Sequence, residues 1–210
     1  MQLKKELAVA VLSVSFISGC ASTSGNTAAG AGVGAAIGAG LGALFGKSSS
    51  SVAIGAGIGA IAGGILGYNW DDIAGKVDKA GEKIGVETTK MPDGSLKVNI
   101  PAGTSFDKTS SQLKPGAYPV LDTLAKEMER VPKLRLKVVG HTDNKEAVKY
   151  NQALSSKRAH SVVNYIHDKG VASSRMSTEG RGAYDPIADN SSEQGRAKNR
   201  RVEVYLYAES

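Results

Sequence analysis

One stretch concentrates the side chains that could do chemistry. Gly140-His141-Thr142-Asp143-Asn144 closes an alternating apolar segment, and Asn151, Leu154, Ser155 and Arg158 follow at i, i+3, i+4 and i+7. That spacing sets the four on one helical face. The Asp143 carboxylate can then sit near the Arg158 guanidinium at the mouth of a sheet, a usual place for a ligand in α/β folds. A structural salt bridge between the two, with Asn151 and Ser155 as helix caps, accounts for the same pattern and is the simpler reading of pattern alone. Enzymatic chemistry on this pair is not expected, because an Asp beside an Arg lacks a second carboxylate or a nucleophile at defined spacing.

Other chemistries fail on residue type or spacing. His160 and His167 share a helix face but are not spaced as a metal pair, and His141 opens the loop, so all three read as solvated or core-edge. Neither a metal nor a cofactor is expected. A single Cys excludes an internal disulfide and the two-Cys metal knuckles. Gly42-Ala43-Leu44-Phe45-Gly46-Lys47-Ser48 has three residues between its glycines where a phosphate-binding loop needs four. The net charge of +6 is spread over a mixed-sign surface with no long basic block. It fits an anionic neighbourhood better than a nucleic-acid partner. The Arg and Lys near Arg196–Arg201 read as strand-edge and domain-stabilising.

The elements that must position Asp143 and Arg158 are legible from periodicity. Val86–Lys90 and Ser95–Ile100 flank Pro92-Asp93-Gly94, a hairpin signal. Val120, Leu121, Leu124, Ala125 and Met128 mark one face of a helix over about 115–130. Leu134, Leu136 and Val138 alternate with Arg135 and Lys137 in a strand that runs to Gly140. A second helix spans about 147–169, with Ala159, Val162, Val163 and Ile166 inward and Gly170 as its stop. Met176–Gly180 and Arg200–Tyr207 complete the strands. Strand–helix–strand–helix–strand–strand predicts a two-layer α/β sandwich with a mixed sheet over 87–210. Ahead of it, 71–86 reads as a weak amphipathic, charged linker with Ile73, Val77, Ala80 and Ile84 on one face.

The first third is built differently. Glycines recur at 30, 34, 38, 42 and 46, and again at 55, 59, 63 and 67, with Lys47 and four serines between the two ladders. A spacing of four lines them along one helix face, where two backbones can approach closely. Each interior glycine costs about 0.8–1.0 kcal/mol relative to Ala, which close helix pairing would offset. The segment 28–70 is therefore expected to form a helical hairpin, either embedded in a bilayer or self-associated in water; a flexible linker does not need the register. Tyr68 and Trp70 stand where interfacial aromatics would lie.

The N-terminus reads as an address. Lys4 and Lys5 precede an apolar run from Leu7 to Ile17, the length of a signal-peptide core and too short to span a bilayer. Ile17-Ser18-Gly19-Cys20 resembles a bacterial lipobox. The resemblance implies a signal peptide over 1–19, acylation of Cys20, and a short linker over 20–27. Ala21 stands where an inner-membrane retention signal would place Asp, so the same resemblance implies outer-membrane sorting. Ordinary cleavage near Ala21, leaving a soluble periplasmic protein, is the alternative.

Three blocks in order, GHTDN (140–144), NQALSSKRAHSV (151–162) and AKNRRVEVYL (197–206), resemble the C-terminal OmpA-like domain. Phe106-Asp107 and Leu113-Lys114-Pro115 match the start of that domain, and the glycine segment resembles the zipper hairpins of envelope lipoproteins. The family implies non-covalent binding of peptidoglycan through the diaminopimelate of its stem peptide. Asp143, with Thr142 beside it, and Arg158, with Leu154 in the same pocket, would hold the ligand; Asn151, Phe106 and Asp107 complete the implied set. The free end of diaminopimelate carries an ammonium and a carboxylate on one carbon, which an opposed Asp and Arg complement. Glu146 departs from the glycine usual three residues after the Asp. The implied role is a tether from outer membrane to wall, with lipid and peptidoglycan as partners and self-association through the ladder. The alternative is a zipper-driven membrane or oligomer assembly factor that the wall domain positions.

Overall fold

The computed structural model describes residues 69–107 and 109–208. The expected signal peptide, Cys20 and both glycine ladders lie outside the described residues. The elements run as α1 (Trp70–Gly81), β1 (Glu87–Lys90), β2 (Leu96–Pro101), a single turn α2 (Ala102–Ser105), α3 (Tyr118–Arg130), β3 (Leu134–Gly140), α4 (Val148–Asp168), β4 (Met176–Gly180), α5 (Glu193–Asn199) and β5 (Arg201–Ala208). The five strands form one sheet in the order β1-β2-β5-β3-β4. Only β3 and β4 pair in parallel; the other three pairings are antiparallel. This is the mixed sheet and two-layer sandwich that the periodicity predicts, with β5 inserted between β2 and β3.

Register turns the alternating residues into a core. Leu96, Leu206 and Leu136 lie in one row across β2, β5 and β3, and Val98, Val204 and Val138 form the next. All six are buried against Val120, Leu121, Leu124 and Met128 of α3 and Ala159, Val162 and Ile166 of α4. Each such side chain stabilises the fold by roughly 1.5–3 kcal/mol. No helix among the described residues is long and apolar enough to cross a membrane.

The segment expected as a linker is part of this core. Asn69 caps α1 by accepting the Asp72 N–H on Oδ1 at 3.2 Å, and acidic residues fill the first turn. Ile73 and Val77 of α1 are buried in the same apolar cluster as the sheet. Lys76 of α1 bonds Glu127 of α3 at 2.9 Å, and Thr88 of β1 donates to Asp78 at 2.8 Å. A Cβ on Gly81 would meet that of Val86 at 2.3 Å, so the chain turns into β1 through a contact only glycine allows. The globular unit thus includes α1, and residues 71–86 are not a free connection.

Candidate functional site

Two glycines set the geometry of the site. Gly140 ends β3 and pairs with Gly180 at the end of β4. A Cβ on Gly140 would stand 2.1 Å from the Ser155 carbonyl oxygen, and one on Gly180 2.6 Å from the Ser156 nitrogen. Helix α4 therefore lies directly on the sheet end, against the loop that leaves β3. Asn151, buried, donates through Nδ2 to the carbonyls of Asp143 at 3.1 Å and Glu146 at 2.9 Å. Ser155 accepts the Gly182 N–H on Oγ at 2.9 Å. Neither residue caps α4: that helix starts after Ala147 with no side-chain cap, and both instead fasten neighbouring loops to it.

Arg158 is 2% exposed, the largest of the fully buried side chains. Its guanidinium lies 5.2 Å from the centre of the Phe106 ring. Nε donates to the Ser110 carbonyl and Nη2 to the Asp107 carbonyl, each at 3.0 Å. The bridge between Phe106 and Leu113 closes the loop that presents those carbonyls. Burial pulls the guanidinium pKa down from its ordinary value. That value starts so high that the group stays charged at neutral pH.

Asp143 lies near enough to Arg158 to favour the charged form of its guanidinium, while the Asp143 carboxylate accepts its hydrogen bonds from Arg200 and Lys145. Asp143 Oδ2 accepts from Arg200 Nη1 at 2.6 Å, and its Oδ1 accepts the Lys145 N–H at 3.2 Å. The reason is register. Gly140 pairs with Val202 across β3 and β5, and the His141 N–H continues the ladder to the Arg201 carbonyl. The loop after β3 and the residue before β5 are therefore neighbours, whereas Arg158 is drawn under the loop of Asp107 and Ser110. Arg200 Nη2 also reaches Glu193 at 2.7 Å. Burial alone would lower the Arg200 pKa, but Asp143 and Glu193 outweigh it and raise the value.

A cleft of about 340 Å³ opens beside these groups, lined by Ala102, Gly103, Phe106, Lys114, Arg158, Glu193 and Arg200. Of the residues expected from sequence, Phe106 and Arg158 line it. Asp143 borders it through Arg200, and Asp107 borders it through Lys114 at 2.9 Å. Thr142, buried, turns its hydroxyl to the Asp143 carbonyl at 2.9 Å, and Leu154 is half-buried and outside the lining. Glu146 is exposed, and no non-glycine residue among those described has a positive φ. The loop thus turns without a left-handed residue at 146. Sequence reasoning missed Arg200, Glu193 and Lys114. For Arg200 a signal existed: a strand read over Arg200–Tyr207 turns adjacent side chains to opposite faces, so only one of the two arginines can lie on the outer sheet face, although β5 itself starts at Arg201.

Arg201 is that one. It donates to Glu203 at 2.8 Å on the sheet face away from the helices, where Tyr205 donates to the same carboxylate at 2.6 Å. His141 Nε2 lies 3.5 Å from Glu203, too far for a good hydrogen bond, and the ring is buried rather than solvated. Among the described residues no cluster of three or more His, Cys, Asp or Glu could hold a metal.

Residues 105–200 match the OmpA family, and residues 1–71 match the YMGG-like Gly-zipper. The first match covers Arg158, the Asp143 loop and all of the cleft lining except Ala102 and Gly103. Residues 105–200 are an OmpA-family domain. The chain is similar to the probable lipoprotein YiaD of Escherichia coli, 36% identical over 143 residues, covering 68% of this chain and 65% of that protein. It is also similar to the peptidoglycan-binding protein ArfA of Mycobacterium tuberculosis, 33% identical, covering 65% of this chain and 44% of that one. The chain thus spans less than two thirds of either relative. Among solved structures, the cell wall anchor of the T6SS from Pseudomonas aeruginosa superimposes with a TM-score of 0.58 at 29% identity. That match covers 65% of this chain and 97% of the other. The OmpA-family domain is thus preceded by α1, which its family match does not include but its core does.

Proposed function

We propose that this protein binds peptidoglycan non-covalently and ties it to the outer membrane. The carrying observation is Arg158: a cation buried to 2% exposure that opens onto a 340 Å³ cleft. Its Nε and one Nη donate to the carbonyls of Ser110 and Asp107, and the same side chain forms part of the cleft wall. A ligand carboxylate entering the cleft would meet this fixed cation in a charge-assisted hydrogen bond. The free end of diaminopimelate supplies that carboxylate for Arg158 and an ammonium for Asp143. The likeness to the peptidoglycan-binding protein ArfA and to the cell wall anchor of the T6SS supports the same substrate class. Acylation at Cys20 would hold the chain in the outer membrane, with the OmpA-family domain in the periplasm, and the glycine ladder would pair with itself or with a second copy. The test is cosedimentation of the detergent-solubilised full chain with isolated diaminopimelate-type sacculi. Wild type should pellet, and Arg158→Ala should stay in the supernatant; equal pelleting of the two would refute the reading.

A further inference from the structure

The cleft is larger than the ligand head assigned to it. An ammonium and a carboxylate on one carbon comprise only five heavy atoms, and a cleft of about 340 Å³ has room beyond them. Lys114 and Arg200 line it in addition to Arg158, so their half carries positive charge of its own beside Glu193.

The cations there are held by carboxylates that ligand binding would unsettle. Both oxygens of Asp143 are engaged, one by Arg200 and one by the Lys145 N–H. An incoming ammonium sharing Asp143 would loosen the hold of that carboxylate on Arg200, whose other partner, Glu193, is 64% exposed and already shared with Arg196 at 2.8 Å. Lys114 rests on Asp107, which is 76% exposed, and ion pairs this exposed hold little. Ala102 and Gly103 leave the adjoining wall low, and a Cβ on Gly103 would meet nothing within 4 Å.

Resting on the peptidoglycan reading above, we infer that this half of the cleft takes a second carboxylate of the same stem peptide, held by Arg200 and Lys114. The stem offers two candidates next to diaminopimelate: the α-carboxylate of the isoglutamate before it and the terminal carboxylate of the residue after it. Either lies within one residue of the head that Arg158 holds. The site thereby distinguishes free from amidated stems, and Arg200 changes partner from Asp143 to ligand as it does so.

The test titrates the full chain in detergent micelles with three soluble disaccharide tetrapeptides: one with all carboxylates free, one amidated at the isoglutamate, one amidated at the C-terminus. Loss of a charge-assisted hydrogen bond is expected to cost about tenfold in affinity, in one amidated arm, which identifies the carboxylate. Lys114→Gln and Arg200→Gln should each shrink that tenfold preference. Lys114 is partly exposed, so its variant tests the idea even if Arg200→Gln folds poorly. If wild type binds all three equally while Arg158→Ala binds none, the second carboxylate site is overturned and the peptidoglycan reading survives. If no tetrapeptide binds, both fall.

Discussion

Asp143 Oδ2 and Arg200 Nη1 are 2.6 Å apart across the ends of β3 and β5. It joins the carboxylate proposed to receive the ligand ammonium to a residue of the cleft wall. In the proposed reading the ammonium would share Asp143 with Arg200, which frees Arg200 to turn toward the ligand.

The glycine pair beneath α4 gives a stability prediction. Gly140→Ala puts a Cβ 2.1 Å from a backbone oxygen that cannot turn away. A loss of about 3 kcal/mol is expected, read as a lower urea midpoint. Gly75→Ala, on the exposed face of α1 with nothing within 4 Å, should gain up to about 0.8–1.0 kcal/mol. Similar midpoints for the two variants would contradict the close approach of α4 to the sheet.

Helix α1 should be indispensable to the domain. A fragment starting at residue 87 loses Ile73 and Val77, buried side chains of roughly 1.5–3 kcal/mol each. It should be about 3–6 kcal/mol less stable than a fragment starting at residue 69, an upper bound given residual burial in unfolded chains. Equal unfolding curves would restore 71–86 to the status of a linker.

Acid should weaken the fold in two steps. Burial, outweighing the nearby Glu203, lowers the His141 pKa below its ordinary 6.5. The unfolded chain therefore takes up that proton first, and stability falls as pH drops below about 6.5. Burial alone would raise the Glu203 carboxyl, but His141 and Arg201 overcome it and hold it far below its ordinary 4.5. Its contribution is present above 4.5 and is lost as pH falls further. Thermal midpoints of His141→Gln should be flatter than wild type between pH 6.5 and 4.5; identical slopes would exclude His141 as the source.

Much of this was legible in the chain. Alternation at Leu134, Leu136 and Val138 marks β3 and its inward face, and helical spacing puts Asn151, Ser155 and Arg158 on one face of α4. There Asn151 holds the loop after β3, and Arg158 lies under the loop of Asp107 and Ser110. What escaped is long-range in sequence. The Asp143–Arg200 pair joins residues 57 apart through strand register, and no local pattern announces that β5 inserts beside β3. Likewise α1 reads as weak because Gly75 and Gly81 interrupt it, yet Gly81 is what lets the chain pack against Val86. Tertiary packing overrode propensity there.

Lipidation rests on the lone Cys behind an apolar leader. Cys20→Ser should abolish incorporation of radiolabelled fatty acid and release the protein from the membrane fraction. Equal labelling of wild type and variant would remove the anchor from the account.

The central claim is that Arg158 holds a carboxylate of diaminopimelate, and ligand choice tests it most directly. A lysine-type stem presents the same ammonium but lacks that carboxylate, which leaves Arg158 without the ligand group assigned to it. A hydrogen bond to a charged group is worth about 1.5–3 kcal/mol, so the lysine-type muropeptide should bind roughly ten- to hundredfold more weakly. Calorimetric titration of the full chain with both muropeptides, in wild type, Arg158→Ala and Asp143→Ala, reads this out. Arg158→Ala should erase the preference, and Asp143→Ala should weaken both ligands alike. Equal binding of the two muropeptides by wild type, or a preference that survives Arg158→Ala, would contradict the assignment.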